Sequence, residues 1–177
     1  MSELELKQSE YRGYIQTHIY NVQKAFNRYG VALCAAISCD PTSVKAAIKD
    51  HDLSKYSEEE FEPYRKWFYP VNPSERNKDA FTKACEHHYK FNDHHPEYWV
   101  DIKYKKGMVV PKDKIRRMPK TSIIHMLCDW QSFLFLNRGN AYDFYYKIDH
   151  EKMVSLLHPD TIRDVEKAIK VLKGTTI

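Results

Sequence analysis

IIHMLCDWQSFLFL, residues 123–136, is a run of mostly apolar side chains with one carboxylate, Asp129, near its middle. An ionised carboxylate in an apolar helix costs several kcal/mol unless it pairs with a cation or binds a metal ion. No Lys or Arg lies within one helical turn of Asp129, whereas His125 lies one turn earlier on the same face. The stretch predicts a buried helix over residues 119–137, with Asp129 in a metal site that His125 joins or supports. A buried Asp held by hydrogen bonds alone is the alternative.

Helical periodicity covers most of the remaining chain. A first helix is predicted over residues 3–29, where apolar residues recur at helical spacing and Gly30 follows as the terminating residue. A second helix over 40–50 begins with Asp-Pro, and a third over 57–67 begins with the Ser-x-x-Glu pattern of a capping box. Further helices are predicted over residues 77–91, 149–157 and 159–173. The sequence therefore predicts an all-α fold, a single-domain helical bundle over residues 1–177, with six to eight helices and a basic loop at 101–120.

The composition is that of an ordinary folded globular protein. Hydrophobic residues make up 42% of the 177 residues and charged residues 29%, and the five glycines disfavour a Gly-rich phosphate loop. The four cysteines form no CxxC pair, which favours reduced thiols. The N-terminal segment lacks the apolar core of a signal peptide, and no uncharged apolar run approaches 18 residues. We therefore expect a cytoplasmic protein without membrane association, and the net charge of +4 gives no strong nucleic-acid signal.

His18 and the dipeptide His51-Asp52 are the first candidate metal ligands. His18 lies on the apolar stripe of the first predicted helix, where a lone histidine is more often a core residue than a ligand. His51-Asp52 follows the second predicted helix and offers an imidazole nitrogen and a carboxylate oxygen, both good ligands for divalent metals. The alternative is that Asp52 caps the next turn while His51 faces water.

Two histidine pairs flank a turn in EHHYKFNDHHPEYW, residues 86–99. His88 shares the inward-facing stripe of its predicted helix with apolar residues, so it is favoured over His87 as a metal ligand. The choice between His94 and His95 is close to even, and the proline that follows favours His95 because it fixes the backbone there. His87 and His94 are then candidates for supporting the ligands or contacting the substrate.

The order of these residues resembles the H…HD…D signature of the HD superfamily of metal-dependent phosphohydrolases. His18, His51-Asp52 and Asp129 supply that signature, and His88 and His95 resemble the additional histidines of two-metal members. The string HDLSK resembles the HDxGK variant, in which the lysine contacts a phosphate; here the lysine is Lys55, and Ser54 replaces the glycine. The strings HDLSKYSEEEFEPYRKWFYP, HHYKFNDHHPEYW and MLCDW are also similar to a family of bacterial and phage proteins without an assigned activity.

The resemblance implies an HD-type fold and a water molecule that one or two divalent ions (Mn, Fe, Co, Ni or Zn) activate for attack on phosphorus. It assigns the first ion to His18, His51, Asp52 and Asp129, and the second to His88 and His95, with Asp52 between the ions. Lys55 is expected to hold a phosphate, with Arg65 as a weaker candidate for the same role. The implied substrate is a small phosphorylated molecule such as a nucleotide.

Two other functions remain open from the sequence. A branch related to this superfamily uses a similar His/Asp cage for di-iron oxygenase chemistry, and a non-catalytic helical module could use the metal only to tie helices together. Candidate ligands spread over several helices beside a Lys and an Arg favour catalysis, because a purely structural site is closed by its ligands. The basic loop at 101–120 either attracts an anionic substrate or is a solvated surface. Exposed aromatic residues are compatible with a homodimer.

Overall fold

A computed structural model describes residues 1–103, 108–134, 139–148 and 150–175, and within these ranges the regular elements are helices. The α-helices are α1 (Glu3–Ile37), α2 (Pro41–Lys49), α3 (Phe61–Phe68), α4 (Lys78–Phe91), α5 (Lys120–Leu134), α6 (Ala141–Asp143), α7 (His150–Ser155) and α8 (Pro159–Ala168). The only strand-like pairing in the described ranges is an isolated antiparallel bridge between Val100 and Ile115. The all-α prediction is confirmed. The end predicted near Asn137 and the start predicted at Asp149 lie outside the described residues.

Helix α1 is longer than the sequence predicted, because Gly30 does not terminate it. Gly30 is buried inside the helix, and a Cβ atom there would overlap the ring of Phe26. The glycine therefore makes room for an aromatic ring one turn earlier instead of supplying a left-handed C-cap. The helix ends at Ser38, which adopts the left-handed conformation with φ of 54°.

The predicted N-cap of α2 is confirmed, whereas the predicted capping box before α3 is not formed. Asp40 accepts hydrogen bonds from the backbone N–H groups of Thr42 and Ser43. At the predicted capping box, α3 begins only at Phe61, and the carboxylate of Glu60 contacts His87 and His88 instead of the end of the helix. A Ser-x-x-Glu spacing is a local signal, and a buried partner elsewhere in the chain overrides it here.

Helix α5 packs along α1, and α2 and α8 pack against both. Buried apolar residues of these helices form the main core cluster, for example Val22, Leu33, Ile124, Leu127 and Val165. A second cluster joins the N-terminal half of α1 to α3 and α4. Along α1 these two clusters are separated at His18, which lies between Ile15 of the second cluster and Val22 of the main one. A polar site thus opens between two apolar cores.

The segment predicted as a basic loop is held by polar contacts at its described positions. Arg116 pairs with Asp101 at 2.7 Å, next to the Val100–Ile115 bridge. Lys112 Nζ donates hydrogen bonds to backbone carbonyls at the C-terminal end of α7 and just beyond it. None of the described helices is both long and apolar enough to cross a membrane.

Candidate metal centre

Side chains from four parts of the chain converge between the two core clusters. Helix α1 contributes one histidine, the turn after α2 a His-Asp pair, α4 and the turn after it three histidines, and α5 a histidine and an aspartate. The convergent residues are His18, His51, Asp52, His88, His94, His95, His125 and Asp129. All are buried except His95, which is partly exposed. The structure thus brings together every candidate ligand that the sequence predicted, together with His94 and His125, which were predicted to support or join the site.

A first cluster surrounds the Nε2 atom of His18. This atom lies 3.0 Å from His51 Nε2, 3.1 Å from Asp129 Oδ1 and 3.4 Å from Asp52 Oδ2. His51 Nε2 lies 3.4 Å from Asp52 Oδ2 and 3.6 Å from Asp129 Oδ1. Two nitrogens and two oxygens therefore face one small volume, and they belong to the residues that the HD resemblance assigned to the first ion.

A second cluster lies on the other side of Asp52. Its Oδ1 atom is 3.4 Å from His88 Nε2 and 3.5 Å from His94 Nε2, and His88 Nε2 is 3.0 Å from His95 Nε2. The donor set is thus three imidazole nitrogens and one carboxylate oxygen. His94, which was predicted from the sequence to support the ligands or contact the substrate, is only 2% exposed and lies with these ligands.

The spacing of these atoms fits a metal centre. A metal–nitrogen bond of about 2.1 Å places neighbouring ligands about 3.0 Å apart in an octahedron and about 3.4 Å apart in a tetrahedron. The measured separations of 3.0–3.6 Å cover both values. Among the described residues, buried Asp52 Oδ1, Asp129 Oδ1 and His94 Nε2 make no hydrogen bond. Buried polar atoms without partners are costly, and one cation in each cluster would together satisfy all three.

Hydrogen bonds on the far side of the rings direct nitrogen lone pairs into the clusters. A neutral imidazole carries one N–H, and the nitrogen without it is the one that binds a metal. His18 Nδ1 lies 3.3 Å from Ser132 Oγ, whose own proton goes to the Asp129 carbonyl. His51 Nδ1 lies 2.8 Å from His125 Nε2. With Nδ1 as the donor in each case, Nε2 of His18 and His51 presents its lone pair to the carboxylates.

The pKa values keep most of these groups in their metal-binding protonation states. Burial lowers the pKa of His51 to about 3 and that of His95 to about 4, so both rings are neutral near pH 7. Burial acts to raise the pKa of Asp129, but the neighbouring rings of His18 and His51 outweigh it and hold the pKa at about 2. For Asp52, burial is likewise outweighed, here by Lys55 and His51, so its pKa lies well below the usual range. Two ionised carboxylates beside the neutral rings of His51 and His95 leave negative charge for a cation.

The backbone at Asp52 places its carboxylate between the clusters. Asp52 has φ of 56° and ψ of 21°, in the left-handed region that non-glycine residues rarely adopt, although Asp adopts it more readily than most. The Lys55 amide donates a hydrogen bond to the Asp52 carbonyl at 3.0 Å, closing a short 3-10 turn. This turn directs the side chain back to α1 and α4. Strained backbone of this kind is concentrated at functional sites.

The remaining predicted residues occupy different surroundings. Lys55 Nζ lies 2.6 Å from Asp52 Oδ2, and its side chain is 13% exposed, so it borders the first cluster and reaches solvent. Arg65 is 1% exposed, and its guanidinium is held by Glu62 and Glu75. Because these carboxylates occupy its donors, we do not retain Arg65 as a phosphate ligand. His87 lies outside both clusters and contacts Glu60.

Glu60 and Asn92 support the site, and neither was predicted from the sequence. The Glu60 carboxylate lies 2.9 Å from His88 Nδ1, and Asn92 Nδ2 donates to the His88 carbonyl and to Ser54 Oγ, each at 2.8 Å. From the sequence, Glu60 was predicted to belong to a capping box because it completes a Ser-x-x-Glu pattern. Asn92 could have been recognised from its position four residues after His88, at the C-terminal end of α4, where it can cap the helix and contact His88.

The fold and the site together define an all-helical protein with a buried His/Asp centre suited to divalent metal ions. A family model described as "Family of unknown function (DUF5662)" matches residues 7–171, and the chain belongs to that family. No curated protein and no solved structure matches the chain. The resemblance to the HD superfamily therefore stays a prediction from the H…HD…D pattern.

Proposed function

We propose that this protein is a metal-dependent phosphohydrolase of HD type that acts on a nucleotide or another small phosphate ester. The observation that carries the proposal is the carboxylate of Asp52, whose two oxygens face two separate histidine clusters. A carboxylate shared by two ion sites is the arrangement that two-metal hydrolytic centres use. A pair of divalent ions supplies a water of near-neutral pKa and offsets negative charge on phosphoryl oxygens.

Different residues of the chain would bind the two ions and the phosphate. His18, His51 and Asp129 would hold one ion, and His88, His94 and His95 the other, with Asp52 shared between them. Lys55 borders the site with a charged amine on a side chain that is 13% exposed, and we expect it to turn from Asp52 to a phosphoryl oxygen. The exposed side of His95 and the partly exposed Lys55 give a substrate two places to approach.

The non-catalytic alternative is weaker on the same observations. A structural site needs one closed set of four ligands, whereas this chain gathers two donor sets around a strained Asp and places a lysine beside them. The oxygenase alternative uses a similar His/Asp cage with iron, and an oxygen-dependent absorption band would distinguish it from the phosphohydrolase.

The test is metal analysis of the purified protein, followed by a screen of nucleotides and phosphate esters with added Mn, Co or Ni. We expect two ions per chain and phosphate release that falls at least tenfold in Lys55→Met without loss of metal. Metal without turnover of any phosphate ester would contradict the phosphohydrolase. Iron with an oxygen-dependent absorption band would favour the oxygenase instead.

A further inference from the structure

Glu60 is a wholly buried carboxylate that contacts two histidines at once. Its exposed fraction is 0%. Oε1 lies 2.8 Å from His87 Nδ1, and Oε2 lies 2.9 Å from His88 Nδ1. Among the ion pairs of the described residues, these two rings are the partners of Glu60. Burying a carboxylate without a Lys or Arg partner costs free energy, so we expect Glu60 to have a function that offsets this cost.

The two contacts fix which nitrogen of His88 carries the proton. A carboxylate only accepts hydrogen bonds, so Nδ1 of each ring must be the donor. His88 Nε2 then keeps its lone pair, and this atom is the one that lies 3.0 Å from His95 Nε2 and 3.4 Å from Asp52 Oδ1. His87 contacts the other oxygen, so the carboxylate is held beside His88 from both sides.

We propose that Glu60 is a positioning residue that sets the metal affinity of the second cluster through His88, with His87 holding Glu60 in place. The inference rests on the metal centre of the proposed function. It applies to one of the two sites, because none of the contacts of the described residues joins Glu60 to His18, His51 or Asp129. Carboxylates behind metal-binding histidines generally change metal affinity by about 10–100-fold.

The deciding variant is Glu60→Gln. Its amide keeps one acceptor oxygen but replaces the other with an NH₂ donor, which cannot accept the N–H of a second histidine. Titration of the metal-free protein with Co²⁺, followed by visible absorption and calorimetry, gives the dissociation constant of each ion. We expect the second ion to bind about 10–100-fold more weakly in Glu60→Gln and the first ion to bind as in the wild type.

Glu75→Gln is the matched control, because it makes the same chemical change in a carboxylate that contacts Arg65 instead of a histidine. We expect it to bind both Co²⁺ ions like the wild type. If Glu60→Gln fails to fold by circular dichroism, His87→Phe replaces it; this variant frees one oxygen of Glu60 and should weaken the second ion several-fold.

The outcomes separate this inference from the proposed function. Wild-type affinity for both ions in a folded Glu60→Gln or His87→Phe protein overturns the role of Glu60 and leaves the phosphohydrolase intact. Equal weakening of both ions in Glu60→Gln also overturns it, since the effect would then be general. Two bound ions without phosphatase activity overturn the proposed function alone. Absence of Co²⁺ binding in the wild type overturns both, before any variant is measured.

Discussion

At the scale of single residues, Asp52 differs from the other ligands because each of its oxygens faces a different cluster. Oδ2 lies 3.4 Å from both His18 and His51, and Oδ1 lies 3.4 Å from His88. Asp129 contacts only the first cluster, 3.1 Å from His18. We therefore expect neutralisation of Asp52 and neutralisation of Asp129 to have different effects on metal binding, although both carboxylates are buried.

We predict that Asp52→Asn weakens the binding of both metal ions at least tenfold, whereas Asp129→Asn weakens only one. Asn tolerates the left-handed backbone of residue 52, so the substitution removes charge without forcing a new turn. Metal content after gel filtration, measured by mass spectrometry, counts the ions that remain. One ion retained at wild-type affinity in Asp52→Asn would contradict a shared carboxylate.

The sequence identified the residues of the first cluster better than those of the second. His18, His51, Asp52 and Asp129 follow from the spacing of the signature and from the cost of burying a charge in α5. The choice between His94 and His95 depends on how the turn after α4 is folded, and both rings prove to face Asp52 Oδ1 or His88. The role of Glu60 could not be predicted from the sequence, because its partners His87 and His88 lie 27 and 28 residues away along the chain.

At the scale of secondary structure elements, α1 is the longest helix described, and Gly30 is the unusual position within it. Glycine inside a helix normally costs about 1 kcal/mol relative to alanine. Here the absence of a side chain lets the ring of Phe26, a residue of the main core, pack against the helix backbone. The sequence pattern could not separate this use of glycine from a C-cap, because both place glycine after an apolar stripe.

We predict that Gly30→Ala lowers the free energy of unfolding by about 1–2 kcal/mol despite the better helix propensity of alanine, since the added methyl group overpacks against Phe26. Gly13→Ala in the same helix is the control, because a methyl group added there would meet no packing neighbour within 4 Å. That variant should raise the free energy of unfolding by about 0.5–1 kcal/mol. Urea denaturation measures both, and equal effects of the two substitutions would be inconsistent with the overlap.

At the scale of the whole molecule, the ligands tie together helices that are distant in sequence. His18 lies in α1 and Asp129 in α5, the pair of helices with the most extensive packing. His88 lies in α4, and the turns after α2 and α4 carry further ligands. Periodicity predicted the helices and hence the all-α class. Their mutual arrangement depends on side-chain packing between distant segments, which no local pattern encodes.

Removal of metal should therefore destabilise the entire fold. An ion present at 100 times its dissociation constant stabilises the folded state by about 2.7 kcal/mol. For a chain of this size that corresponds to a fall in Tm of about 5–10 °C when EDTA is added. Calorimetry measures the Tm of the wild type with EDTA, and EDTA already saturated with metal serves as the control. Asp52→Asn should show little response to the chelator, and an unchanged wild-type Tm would argue against metal binding.

The bridge between Val100 and Ile115 has a consequence for how the family can vary. Because this pairing and the Arg116–Asp101 contact fix the two ends of the intervening segment, residues inserted between them need not disturb the helices. Loop closure becomes less favourable only slowly with length, by about 0.6 kcal/mol for each doubling. Evolutionary insertions and deletions are thus expected to accumulate between positions 100 and 115, and the distance along the chain from His51 to His95 should stay nearly constant.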